Sequence, residues 1–152
     1  MKVIIVYESK YGNTKRVAEM IIEAMKEVGG LETDLIMYKE VDLGKIPEYD
    51  AILIGSPTHI GGPTGGIKKF IDKLGKLNLE GKVGAVFGTY KYDFEKAVKK
   101  MEKRINEKVL GLKILAPGLS IKVKGIKGPI LEEELPKCKE FGKKIGSKMK
   151  EA

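Results

Sequence analysis

The chain has 152 residues, 42% of them hydrophobic and 33% charged, with a formal net charge of +8. That size and balance describe a soluble globular protein able to bury a core unaided, and no apolar run approaches the roughly 20 residues that cross a bilayer. A single cysteine, Cys138, excludes an internal disulfide, and with the one histidine, His59, it leaves too few ligands for a zinc or iron centre.

Val3-Ile4-Ile5-Val6-Tyr7 is a continuous apolar run, the pattern of a strand covered on both faces. No small-residue cleavage site follows it, so the expected location is the cytoplasm. Thr14 is expected to cap a helix whose apolar positions Val17, Ile21, Ala24, Met25 and Val28 recur at helical spacing until Gly29-Gly30 ends it. A more polar strand follows at about Thr33 to Tyr38. Ala51-Ile52-Leu53-Ile54 is the next apolar strand, broken by Gly55-Ser56-Pro57-Thr58.

Thr64 precedes a helix with Ile67, Phe70, Ile71 and Leu74 on one face, and Val83 to Phe87 is a buried strand closed by Gly88. Asp93 is expected to cap a helix marked by Phe94, Ala97, Val98, Met101 and Ile105. Leu112 to Val123 reads as a strand broken at Ala116-Pro117-Gly118. The last helix carries Leu135, Cys138, Phe141, Ile145 and Met149, and its acidic start at Glu132-Glu133-Glu134 suits the helix dipole.

Strands alternating with helices from end to end predict one α/β domain over 1–152, a three-layer αβα sandwich around a five-stranded parallel sheet. The order 2-1-3-4-5 places the two mixed strands at the edges and a ligand site at the switch between strands one and three. There the loop Ser9-Lys10-Tyr11-Gly12-Asn13-Thr14 joins hydroxyls, a glycine and a helix N-terminus, the makings of a phosphate cradle. It has neither the P-loop nor the dinucleotide glycine pattern, so an ordinary capped turn is the competing reading.

This loop, Gly55-Ser56-Pro57-Thr58-His59-Ile60-Gly61-Gly62 and Gly88-Thr89-Tyr90-Lys91-Tyr92-Asp93 together resemble the flavodoxin family. The likeness is greatest to the flavodoxin domain of flavodiiron proteins, through Gly55-Ser56-Pro57-Thr58, Phe87-Gly88-Thr89-Tyr90, Pro117-Gly118-Leu119 and Cys138-Lys139-Glu140-Phe141-Gly142. The metal-binding domain of those proteins has no counterpart here. The resemblance implies FMN, with its phosphate at Ser9, Gly12, Asn13 and Thr14 and the backbones of Lys10 and Tyr11. The flavin ring would lie between the second and third loops, packed by His59 on one face and by Tyr90 or Tyr92 on the other. It implies no side-chain catalyst and no metal. Where many members have glycine after the packing residue, at a peptide that flips towards the reduced ring, this chain has Ile60, so the implied flip moves to the Ile60–Gly61 peptide.

The implied activity is an FMN electron carrier between redox proteins. The alternatives are an NAD(P)H- or quinone-linked FMN reductase and a binding module that has lost the cofactor. Lysine carries almost all the positive charge, with only Arg16 and Arg104 as arginines. Its enrichment beside glutamate, with no glutamine, suits a thermophilic source. The basic surface reads first as a solvated one and next as a match for an acidic protein partner. Nucleic acid is disfavoured by the scarcity of arginine. Glu95 with Lys99 and Glu140 with Lys144 are expected as helical ion pairs.

Overall fold

A computed structural model describes residues 1–151. The strands are β1 (Lys2–Tyr7), β2 (Glu32–Met37), β3 (Ala51–Pro57), β4 (Val83–Tyr90), β5 (Lys113–Ile114) and β6 (Leu119–Lys122). The helices are α1 (Asn13–Val28), α2 (Gly65–Leu74), α3 (Lys96–Lys108) and α4 (Leu135–Glu151), with short 3-10 turns at Tyr38–Glu40, Leu43–Glu48 and Glu132–Glu134. All strand pairs are parallel, in the order β2-β1-β3-β4-β5, and β6 also pairs with β4 along the same edge. The expected order and the interruption of the fifth strand are both present.

Alternation along the strands builds two cores. Val3 and Ile5, Ala51 and Leu53, and Ala85 and Phe87 face α1 and α4. Ile4 and Val6, Ile52 and Ile54, and Val86 face α2 and α3. Because helices cover both faces, residues 3–6 of β1, 51–54 of β3 and 83–87 of β4 carry no polar side chain, which is why they read as runs.

Three local expectations change. Gly55 and Gly88 look like strand ends, yet β3 continues through Pro57 and β4 through Tyr90. A Cβ on Gly55 would stand 2.1 Å from the Phe87 ring, so this glycine is there to let a buried phenylalanine cross it. Thr14 is not the cap of α1. Gly12 holds that place at φ 89, and Thr14, two residues inward, is 1% exposed. Asp93 does not cap α3 either. Asp93 and Glu95 both take left-handed backbone at φ 64 and 63, so the helix starts only at Lys96. Phe94 therefore leaves the core face and is exposed, its ring 5.4 Å from that of Tyr90.

Neither expected helical ion pair is among those of the described residues. Glu95 lies ahead of its helix, and Glu27 of α1 draws Lys139 and Lys143 of α4 instead. Glu134 serves more than the helix dipole: it is buried, accepts the Lys122 amide at 2.8 Å and pairs with Lys137, tying β6 to α4.

Helices α1 and α4 meet at Gly142, where a Cβ would lie 2.6 Å from the Ile21 carbonyl oxygen. Gly142→Ala should therefore lower unfolding free energy by roughly 1–3 kcal/mol through overpacking, read by urea denaturation. Unchanged stability would mean that the helices part freely. Burial, and then the neighbouring Glu134 carboxylate, push the Cys138 thiol up to about 12. The folded protein should resist a thiol reagent at pH 8 and react once unfolded in urea; fast labelling of the native state would contradict that burial.

Candidate functional site

Strands β2 and β3 lie on opposite sides of β1, so the connections leaving β1 and β3 diverge at their carboxyl ends. The divergence opens a cleft of about 600 Å³, within the range of small-molecule sites.

One wall is the loop from β1 to α1. The Ser9 Oγ accepts the Gly12 amide at 3.1 Å and, more weakly, the Lys15 amide at 3.4 Å, while Gly12 turns the chain through its left-handed conformation. Gly12 has no side chain to cap the helix. The first turn, Asn13-Thr14-Lys15-Arg16, holds two cations where the dipole prefers anions. An anion in the cleft would satisfy both the amides and that positive field.

The floor is polar in one place only slightly open to solvent. The Thr14 and Thr89 hydroxyls lie 3.0 Å apart, both buried and both lining the cleft. The Thr14 side chain is thus bonded to β4 while still lining the cleft.

The second wall is braced from behind. Buried Ser56 donates to the Pro57 carbonyl at 2.8 Å and accepts the Thr64 amide at 3.1 Å. Thr64 donates to Glu8 at 2.8 Å and accepts the Ile67 amide at 3.3 Å, capping the helix it is expected to precede. The Thr58 amide and hydroxyl both donate to the Thr89 carbonyl at 2.9 Å. These bonds join the ends of β1, β3 and β4 to the start of α2.

Beyond Thr58 the chain makes a two-residue turn. The His59 amide donates to Gly62 at 2.7 Å and the Gly62 amide returns to His59 at 3.3 Å. Ile60 at φ 51 and Gly61 at φ 71 give it the form of a type I′ turn. Ile60 is 92% exposed. Turning over the Ile60–Gly61 peptide would leave Ile60 at positive φ with extended ψ, a region essentially confined to glycine. The flip implied by the resemblance therefore meets a steric barrier here.

The third wall presents Tyr90, Lys91, Tyr92 and Asp93. Tyr90 is half-buried and packed by Phe94; burial foremost, and then the Glu134 charge, raise its phenol above the ordinary value. Tyr92 is 70% exposed, with the Lys91 ammonium 5.1 Å from its ring centre.

Of the residues expected at the site, Ser9, Lys10, Tyr11, Asn13 and Thr14, Pro57 to Gly61, and Thr89 to Asp93 line the cleft. Gly12, Ser56, Gly62 and Gly88 stand behind it and set the backbone. A Cβ on Gly88 would come within 2.9 Å of the Ser56 carbonyl oxygen. Sequence reasoning missed Glu8, Tyr38, Thr64, Gly65, Gly66, Val123 and Ile126. Val123 and Ile126 belong to a fourth loop after β6, closed by bonds from Lys124 to Pro129 and from Gly128 to Gly125. Gly128, at φ 93, lies where a Cβ would strike the Asn13 side chain at 2.4 Å, so this loop packs on the start of α1. The Gly125…Gly128-Pro129 spacing with an apolar Ile126 was the signal available.

The family model described as Flavodoxin matches residues 5–131. The chain is 40% identical over 89 residues to a flavodoxin of Clostridium saccharobutylicum, an alignment covering 59% of this chain and 56% of that protein, so it matches little more than half that relative's length. Among solved structures, a flavodoxin from the domain Archaea superposes with a TM-score of 0.85 at 32% identity, over 99% of both chains. The rubredoxin oxygen:oxidoreductase of Desulfovibrio gigas gives a TM-score of 0.83 over 99% of this chain and 36% of its own. At 21% identity that is a likeness of fold alone, as is the likeness to the Flv1 flavodiiron core of Synechocystis, with a TM-score of 0.80 at 21% identity over 99% of this chain and 36% of that one. With the sheet order, the three loops and a family match across most of its length, the chain belongs to the flavodoxin family.

Proposed function

We propose that the cleft holds FMN and that the protein is an electron carrier between redox proteins. The observation that carries this reading is the open slot at the switch between β1 and β3, with an uncompensated helix end at one side and tyrosines at the other. Flavodoxin family proteins bind FMN. Once bound, FMN supplies the one- and two-electron chemistry that protein side chains lack.

The chain's own groups bind, orient and shield. The amides of Lys10, Tyr11, Asn13 and Thr14 and the Ser9 hydroxyl would hold the phosphate, with Gly12 turning the chain around it and Lys10 adding charge. The ring lies between Pro57–Gly62 and Gly88–Asp93, with His59 on one side. Tyr92 covers the outer face, because its ring is exposed whereas that of Tyr90 is already packed by Phe94. No helix of the described residues is long and apolar enough to cross a membrane. We place the carrier in the cytoplasm, reading its lysine and glutamate enrichment as a thermophile's, and its charge of +8 favours acidic partners.

Purified protein should be yellow, release FMN on denaturation and be reconstituted by it. Ser9→Asp should weaken FMN binding at least about tenfold while barely changing riboflavin binding, since only FMN brings a phosphate to be repelled. Colourless protein that FMN cannot restore would end the proposal, and sustained oxidation of NADH or NADPH would replace the carrier with a reductase.

Lys10 and Lys91 line the cleft, and cations there favour the negatively charged reduced cofactor. Potentiometric titration should place the second electron at a less negative potential than in acidic flavodoxins. Lys91→Glu should lower it by roughly tens of millivolts. A wild-type potential as low as theirs would refute the assignment.

A further inference from the structure

The mouth of the cleft is apolar at its centre and cationic at its edge. Ile60, Tyr92 and Ile126 line the cleft at 92%, 70% and 72% exposure, and Phe94, packed on Tyr90, is 59% exposed. These are four of the chain's most exposed large apolar residues, drawn from three separate loops to one place, whereas scattered single exposures are the norm for a soluble surface.

Lysines surround them. The Lys10 and Lys127 ammonium groups lie 5.5 and 6.0 Å from the Tyr11 ring centre on one side, with Lys91 beside Tyr92. On the other side the Lys100 and Lys68 ammonium groups fall 3.7 and 4.0 Å from the point where a Cβ on Gly62 would stand. The acids nearby compensate little: Asp93 is paired with Lys96 at 3.3 Å, and Glu8 is turned inward to Thr64.

We infer that this face docks an acidic redox protein, its apolar centre packing over the cofactor's edge while the surrounding lysines choose a partner of opposite charge. The inference rests on the carrier reading and adds to it the place and the chemistry of contact. An apolar middle with a charged rim is how protein interfaces divide affinity from selection, the rim acting through long-range attraction and the rate of encounter. A reduced cofactor held there would supply one electron, being oxidised by one electron as a ferric centre in the partner became ferrous.

The test uses FMN-loaded protein with an acidic rubredoxin and a basic c-type cytochrome as probes. Titrating ¹⁵N-labelled protein with the rubredoxin should perturb amides around residues 60, 92 and 126, a readout independent of electron flow. At low salt, electron transfer to the rubredoxin should be fast and should slow as salt rises. Replacing Lys68, Lys100 and Lys127 by glutamate should cut that rate at least about tenfold, with the FMN spectrum unchanged. Replacing Lys76, Lys113 and Lys144, equal in charge but remote from the mouth, should cut it less than about threefold. Equal losses in both sets, perturbations elsewhere, or a faster reaction with the basic cytochrome would overturn the inference. Perturbation at the mouth without electron transfer would instead overturn the carrier reading and leave the docking face standing.

Discussion

Helix α1 begins with its positive end uncompensated. Gly12 offers no capping side chain, the first turn holds Lys15 and Arg16 and no carboxylate, and Ser9 accepts only the Gly12 amide and, weakly, that of Lys15. An isolated helix with that start would be strengthened by almost any acidic substitution there. The arrangement makes physical sense beside a bound anion, and parallel pairing on both sides of β1 aims the end at the one place where the connections diverge. The cleft, the phosphate cradle and the mouth all follow from that aim.

A cleft between loops closes unless something holds its walls apart. Here the restraint comes from short hydroxyl side chains buried behind the lining. Ser56, Thr64 and Glu8 connect two strand ends to the start of α2, and Thr14 and Thr89 meet across the floor. Each such bond is modest in net energy, but an unpaired hydroxyl at these depths would cost its full desolvation, so the group is stable only as a connected set. The described residues leave no fully buried side-chain nitrogen or oxygen without a partner. The lining itself can then be left free to meet a ligand.

What could be read from the sequence was whatever repeats along it. Strand order, helix faces and the three main loops follow from period and punctuation, because burial on both faces leaves residues 3–6, 51–54 and 83–87 no polar side chain. What could not be read depended on contacts across the fold. Gly55 punctuates a sequence but in space makes room for Phe87; Thr14 resembles a cap but meets Thr89, 75 residues away. Phe94 fits the helical face of α3 in spacing, yet two left-handed residues delay the helix and turn it to the surface. The loop carrying Ile126 adjoins the cleft only because Gly128 rests on Asn13. Each case is a tertiary contact overriding a local preference.

The same delay of α3 bears on the chemistry of the mouth. Had Asp93 capped the helix, Phe94 would be buried and the third loop would end at Tyr92. Instead the chain spends Asp93, Phe94 and Glu95 outside the helix, which puts a second aromatic ring against Tyr90 and leaves Tyr92 exposed. Ile60 reaches the surface by similar means, carried on a turn that a β-branched residue enters only under strain. Strain of that kind is tolerated where the surrounding bonds fix the backbone, as the paired His59 and Gly62 amides do. Glycine at residue 60 would relax the turn but remove the side chain that stands over the opening, so the position trades backbone ease for an apolar surface beside the cleft.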